Sequence, residues 1–282
     1  MNKLFKTIAV AAVSLFTLAA CGSDDHNKPI KILYPSWAEG VAMTHLAEYV
    51  LDEKGFEVET TLIEPGPLYA ALSKGDADLY LDAWLPHTHK DYWERFGDKL
   101  EVVGVVFDDA SSGLVVPDYV EIDSIDELNA NREMFNGKIY GIGAGAGLHG
   151  HTIRAIAEYP LEFEQITSSE SSMMAELRRA IAAKEPIIIT GWKPHYMWDM
   201  YDIKLLEDPK DVFLIDQIQI LSRQGFKEDH PEAEIFFSNF KLNSDRLHEL
   251  MAMVGENDRK PEEGAQKFYE KYQAEIDGWF NQ

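Results

Sequence analysis

Short apolar runs alternate with stretches of helical periodicity from residue 31 onward. Lys31-Ile32-Leu33-Tyr34 is an apolar run stopped by Pro35, as a buried strand would be. From Val41 to Lys54 apolar residues recur at helical spacing (Val41, Leu46, Val50), and Gly55 ends the segment. Val58 to Ile63 predicts a second strand, and Leu68 to Lys74 a short helix closed by Gly75. Leu79 to Ala83 predicts a third strand, broken by Trp84-Leu85-Pro86. Gly113 to Pro117 predicts a strand that leaves this first unit.

A second series then begins. Ile139 to Ile142 predicts a strand, followed by the turn Gly143-Ala144-Gly145-Ala146-Gly147 and a helix over Thr152 to Glu158. Ser172 to Lys184 predicts another helix. Ile187 to Thr190 predicts a strand broken at Gly191-Trp192. Phe213 to Leu221 predicts a strand returning to the first unit, and the chain from Pro231 reads as helical, its last helix starting at Pro261. Strands alternating with helices in units this short indicate an α/β fold with a mostly parallel sheet. Two series predict two lobes: residues 30–116 with 219–282, and residues 117–218. The chain is expected to cross between them near Pro117 and Ile218, where hinge motion is expected.

The N-terminus adds a compartment. Lys3 and Lys6 precede the uncharged apolar run Ile8 to Ala20, and Leu18-Ala19-Ala20-Cys21 follows. Charged, apolar and small-residue regions in that order predict a secretory signal over residues 1–20, too short to span a membrane. A small-residue run ending in cysteine resembles a lipobox, in which Cys21 is acylated and becomes the new N-terminus. An ordinary signal peptide with an incidental cysteine is the alternative. Cys21 is the only cysteine, so a lipidated chain has no thiol for a disulfide, a nucleophile or a thiolate metal site. Residues 21–29 read as a lipidated tether. An exported lipoprotein of the cell envelope is expected, facing the periplasm or the outer surface of the membrane.

Charge removes partners rather than naming one. The chain has 26 basic and 49 acidic residues, which argues against nucleic acid and against an electrostatically held membrane surface. A soluble surface is the simplest reading of that excess.

One pattern recurs. Trp84-Leu85-Pro86-His87 follows an apolar strand, and Trp192-Lys193-Pro194-His195 follows another. Two lobes of one plan, each closing a strand in Trp-x-Pro-His, would set two tryptophans on facing sides of a cleft. Open α/β sheets bind ligands at the carboxyl ends of their strands. Trp37 has a similar place after the first strand. Most tryptophans are core residues, and Trp93, Trp198 and Trp279 are read that way. Trp37, Trp84 and Trp192 occupy loops expected to line the cleft.

Several indoles around one pocket suit a quaternary ammonium. Such a cation has no N–H donor, and its charge is spread over apolar methyl groups. Aromatic faces meet both properties, each contact contributing on the order of 0.5–2 kcal/mol when desolvated. Gly145-Ala146-Gly147-Leu148-His149 is a glycine-rich turn leading into a helix, and such a turn offers backbone N–H groups to an anion. By itself that is a common feature of α/β turns. His87, His89 and His195 lie beside the cleft tryptophans, and His89 and His195 are the better candidates to add a donor.

Two other classes compete. His87-Thr88-His89 and His149-Gly150-His151 have His-x-His spacing, so a zinc carrier using the cleft histidines is the alternative. Zinc needs three or four ligands in closed geometry, and that reading leaves the tryptophans without a role. For an enzyme there is no nucleophile elbow, phosphate loop or His-Glu-x-x-His. Glu64, Asp78 and Asp82 could pair as acid and base, but a solvated or hinge-facing role is expected of them. No catalytic residue and no cofactor is assigned.

Four ordered segments carry a family resemblance: Trp37-Ala38-Glu39-Gly40-Val41-Ala42, Asp82 to Lys90, Gly143 to Leu148, and Thr190-Gly191-Trp192-Lys193-Pro194-His195. Over Lys31 to Gln282 the chain resembles the glycine betaine/proline betaine-binding proteins of osmoprotectant ABC importers. The resemblance implies a two-lobed periplasmic-binding-protein fold of type II that closes on its ligand. It implies that Trp37, Trp84 and Trp192 surround the trimethylammonium group. It also implies that the Gly147 and Leu148 amides hold the carboxylate with help from His89, His195 being secondary. A monomer that delivers ligand to a permease driven by an ATPase is expected. His149 and Tyr196 depart from the family pattern, which leaves glycine betaine, proline betaine, carnitine, choline and a sulfonium analogue open as ligands.

Overall fold

A computed structural model describes residues 28–255 and 260–281 of the chain. The expected signal, Cys21 and most of the tether lie outside the described residues. Among the described residues, no helix is long and apolar enough to cross a membrane.

The first lobe starts with β1 (Ile30–Tyr34), α1 (Ala38–Glu53), β2 (Val58–Leu62), α2 (Pro65–Leu72), β3 (Leu79–Leu85) and α3 (Lys90–Phe96). α1 stops where expected: Gly55 has φ +89°, the left-handed conformation that a glycine adopts without strain after a helix. β4 (Leu100–Pro117) follows. The second lobe holds β5 (Lys138–Gly141), α4 (Gly147–Glu158), β6 (Glu164–Thr167), α5 (Glu170–Ala183), β7 (Ile189–Lys193), α6 (Met197–Met200) and β8 (Ile203–Leu205). β9 (Asp216–Arg223) returns to the first lobe. α7 (Phe226–Asp229), α8 (Pro231–Asn239), α9 (Ser244–Gly255) and α10 (Pro261–Asp277) complete it.

One sheet path runs β2-β1-β3-β9-β4-β7-β5-β6, with β8 on β4. It is mixed rather than mostly parallel. β1 pairs in parallel with β2 and β3, and β5 with β6 and β7. β4 and β9 are antiparallel to every strand they pair with. They are the strands that carry the chain between lobes, and each enters its sheet against the direction of the βαβ units.

β4 is one continuous strand that changes partner midway. Ala110 pairs with Asp216 of β9, and the next residue, Ser111, pairs with Lys193 of β7. The exchange therefore lies before Pro117, and all of β9 from Asp216 pairs within the first-lobe sheet. The sequence reading finds only Gly113–Pro117 of β4 and passes over an equally apolar run at residues 102–107. Asp108, Asp109, Ser111 and Ser112 separate the two runs, so they do not read as one strand; a strand at an inter-lobe crossing is solvated over part of its length.

The first lobe buries α1 against α9, α10 and the sheet; Leu46, Val50, Leu51, Leu250 and Phe268 are nearly free of solvent contact. Burial of each such side chain contributes roughly 1.5–3 kcal/mol. The second lobe has its own cluster around Leu114, Ile139, Ile188 and Leu206. Asp78, expected in a solvated or hinge-facing role, is buried. It accepts from Lys31 N (2.8 Å) and from Arg223 Nε (2.7 Å), which ties β1 to the end of β9.

The lobes are closed on each other. Ala38 N donates to Glu170 Oε2 (3.1 Å), and Tyr92 Oη donates to the Gly145 carbonyl (2.8 Å). Trp37, Trp84, Ile142, Leu148 and Trp192 belong to one buried cluster reaching into both lobes.

Candidate functional site

A cavity of about 300 Å³, its mouth included, lies between the lobes. Its walls are Trp37, Glu39, Trp84, Thr88 and His89 from the first lobe. From the second come Ile142, Ala146, Gly147, Leu148 and Trp192, with Ser112 where β4 crosses. Six residues singled out from sequence thus meet in one cavity: Trp37, Trp84, Trp192, His89, Gly147 and Leu148.

Each tryptophan is positioned differently. Trp37 precedes the first turn of α1 in extended conformation, and its ring stacks on His89 (centroids 5.8 Å apart, planes 29° apart). Trp84 and Trp192, expected just past strand ends, instead lie inside β3 and β7. Antiparallel pairing with β9 and β4 extends both strands through them. Each motif then turns at a cis peptide bond, Leu85-Pro86 or Lys193-Pro194. The two turns are braced separately. Asp216 accepts from His87 N (2.6 Å), Thr88 N (3.0 Å) and Thr88 Oγ1 (2.6 Å). Trp198 Nε1 donates to the Trp192 carbonyl (2.7 Å).

The Gly147 and Leu148 amides open α4, so they have no acceptor within the helix and carry its positive end. Only glycine fits at 147: a Cβ there would lie 1.9 Å from the Thr88 carbonyl oxygen. The sequence reading starts this helix at Thr152. The structure starts it at Gly147, because the last glycine of the loop is needed for close approach and not for a turn.

His89 is a neutral donor. Burial, with His151 nearby, pushes its pKa down to about 3. Its Nδ1 accepts from Trp84 N (3.0 Å), so the single proton of the neutral ring is on Nε2. His195, proposed for the same task, does not line the cavity. Its Nδ1 accepts from Met197 N and its Nε2 lies 3.0 Å from Glu170 Oε1, so both ring nitrogens are engaged within the protein. It packs edge-on behind Trp192, at 4.6 Å between centroids. Adjacency in the motif cannot tell which side of the tryptophan a neighbour takes. His149 and Tyr196 do not line the cavity either. Among the described residues, no group of three or more His, Cys, Asp or Glu side chains is placed to hold a metal ion.

Sequence reasoning missed an acidic layer. Glu39 and Asp82 are each only 1 % exposed, so Asp82 is not solvated as expected. Trp84 Nε1 donates to Asp82 Oδ1 (2.9 Å), while Asp82 Oδ2 and Glu39 Oε2 are buried without a partner. Burial, then the neighbouring Asp82 and Glu170, hold the Glu39 carboxyl well above the usual carboxylate range. Burial and Glu170 do the same to Asp82. The available signal was Glu39 two residues after Trp37, an acid in a first turn whose other residues are Ala38, Gly40 and Val41.

Two α/β lobes joined by crossing strands, with a cavity walled by both, define a solute-binding protein. Residues 28–271 match the substrate binding domain of the ABC-type glycine betaine transport system, and the chain belongs to that family. It is 33% identical to the glycine betaine/L-proline-binding protein (ProX) of Borrelia burgdorferi, with a TM-score of 0.86 over 89% of this chain and 96% of that one. Lactococcal OpuAC, closed on glycine betaine, is 32% identical with a TM-score of 0.85 over 90% of this chain and all of that one. The glycine betaine/carnitine transport binding protein GbuC of Listeria monocytogenes is 36% identical over 151 residues. That match spans 52% of this chain and 50% of the Listeria protein.

Proposed function

We propose that this chain is the substrate-binding component of an ABC importer and captures glycine betaine or a related quaternary-ammonium solute. The observation that carries the reading is the meeting of Trp37, Trp84 and Trp192 with the N-terminus of α4 in one cavity. Indole faces attract a methylated cation through cation–π and contact area. The Gly147 and Leu148 amides, with His89 Nε2–H, supply donors for a carboxylate at the other end. Glycine betaine bound to lactococcal OpuAC is consistent with this ligand class. His195 acts one step back, by holding Trp192 and Glu170.

The solute is carried and not transformed. Closure brings Ala38 to Glu170 and Tyr92 to Gly145, and opening releases both contacts. The lobes divide where β4 exchanges partners at Ala110 and Ser111, and again before Asp216; these are the hinges. A permease with its ATPase would receive the closed form. Acylation of Cys21 would anchor a monomeric carrier at the outer face of a membrane, supported by the charged, apolar and small-residue order of residues 1–20.

Titration of the processed protein tests the ligand class. Tryptophan fluorescence is expected to change, with saturation, on adding glycine betaine, proline betaine or carnitine. Choline, lacking the carboxylate, should bind more weakly. A response to zinc alone would overturn the reading in favour of a metal carrier, and turnover of any added solute would point to an enzyme.

A further inference from the structure

The carrier reading uses the tryptophans and the amides but leaves the acidic layer beside them without a task. Glu39 lines the cavity; its Oε2 makes no hydrogen bond of normal geometry, and the Trp192 indole N–H, also without a partner, lies near enough to favour the ionised carboxyl but is outweighed by burial. The Asp82 carboxylate lies against the same turn: a Cβ on Gly40 would be 2.9 Å from Asp82 Oδ2. The Asp82 Oδ1 holds the Trp84 indole, and Oδ2 is unpartnered. Two unpartnered carboxylate oxygens on side chains this deeply buried are costly for a protein that needs only a floor for its cavity. Neutral amides or apolar side chains would serve that purpose.

We infer that Glu39 and Asp82 form the charge selector of the site: in the empty protein they hold a proton between them, and a bound cation expels it and takes its place as their counter-charge. The inference rests on the quaternary-ammonium reading. It explains why the acids are placed beside the tryptophans, where a fixed positive charge would sit. An aromatic cavity alone also accepts neutral tert-butyl groups. A cavity whose neighbouring acids must give up a proton favours a permanent cation.

The surrounding charges are consistent. Glu170 faces the pair from α5, its own oxygens engaged by His195 and by Ala38 N. Its negative charge helps keep the proton on Glu39 and Asp82 when no cation is present. The Tyr69 and Tyr80 hydroxyls, behind Asp82, are pushed up by burial and remain neutral. His89, on the same first-lobe wall, is held at about 3 and carries no charge near neutral pH. The pair is therefore the group at this floor whose charge is poised to answer a bound cation.

The sign follows from linkage. Binding releases a proton from a group whose pKa in the empty protein is raised, so affinity rises with pH and levels off once the pair is already ionised. Calorimetric titration with glycine betaine across about pH 5 to pH 8 should show Kd falling with pH, by up to about tenfold per unit at its steepest. The carbon isostere 3,3-dimethylbutanoate, which keeps the carboxylate and lacks the charge, should show no such rise. Glu39→Gln combined with Asp82→Asn should abolish the pH dependence; thermal melting confirms that this variant is folded. Wild-type affinity that is tight and independent of pH overturns the inference alone. The same dependence persisting in the double variant, or shared by the uncharged isostere, overturns it too. A wild-type protein that binds no betaine at any pH overturns the functional reading and the inference with it.

Discussion

Trp84→Ala is expected to weaken glycine betaine binding by about 100-fold. Removing the indole takes away a desolvated cation–π contact of about 2 kcal/mol. It also removes apolar contact with the methyl groups, about 1 kcal/mol more; together these convert to roughly two orders of magnitude. The side chain has a second role, since its N–H is the partner of Asp82 Oδ1. Trp84→Phe separates the two, because it keeps an aromatic face and loses the donor; a loss of about tenfold is expected. Calorimetric Kd values for both variants, with melting curves to show that each is folded, make the comparison. Unchanged affinity in Trp84→Ala would remove the aromatic cavity from the account.

Gly147→Ala is expected to be at least as damaging, by another route. The new methyl would have to occupy the Thr88 carbonyl oxygen, at 1.9 Å, and neither backbone can yield locally. Overpacking of this kind costs about 1–3 kcal/mol. Thr88 belongs to the first lobe and Gly147 to the second, so the molecule can relieve the clash by opening. The ligand-free melting temperature should therefore change little, while affinity falls by about 100-fold and ligand no longer raises the melting temperature. Binding within a few-fold of wild type would show that the lobes need not meet at this point.

The contrast between these two positions shows what the sequence could reveal. Trp84 was legible because a rare residue recurs in a rare setting: Trp-x-Pro-His after each of two apolar strands is hard to produce by accident. The longer helices and the parallel strands other than β6 were legible for a similar reason, since their burial leaves periodicity; the side chains of β6 are exposed or half-buried and leave none. Gly147 was legible as a glycine in a turn, but not as a glycine pressed on Thr88 from another lobe. That requirement is a distance across the cleft and leaves no local mark. β4 was not legible as one strand, because the largely polar stretch at residues 108–112 divides its two apolar runs, and with it went the mixed character of the sheet.

Charged residues were the least legible. Asp78 and Asp82 are four positions apart and read alike. One is paired with Arg223 at the end of β9, and the other has an unpartnered oxygen near the cavity. His195 holds the position of His87 in the repeated motif, and His89 lies two residues beyond it. His89 reaches the cavity wall, while His195 sits behind Trp192, on Glu170. Composition and spacing carry the type of a side chain, but not which of its atoms tertiary contacts have already engaged.

A structure of this protein with glycine betaine bound tests the central claim most directly. The account predicts the trimethylammonium group between Trp37, Trp84 and Trp192, within about 6 Å of their ring centroids. The carboxylate should accept hydrogen bonds from the Gly147 and Leu148 amides and from His89 Nε2. Betaine bound elsewhere, or in the cavity with its carboxylate turned toward Glu39, would contradict it.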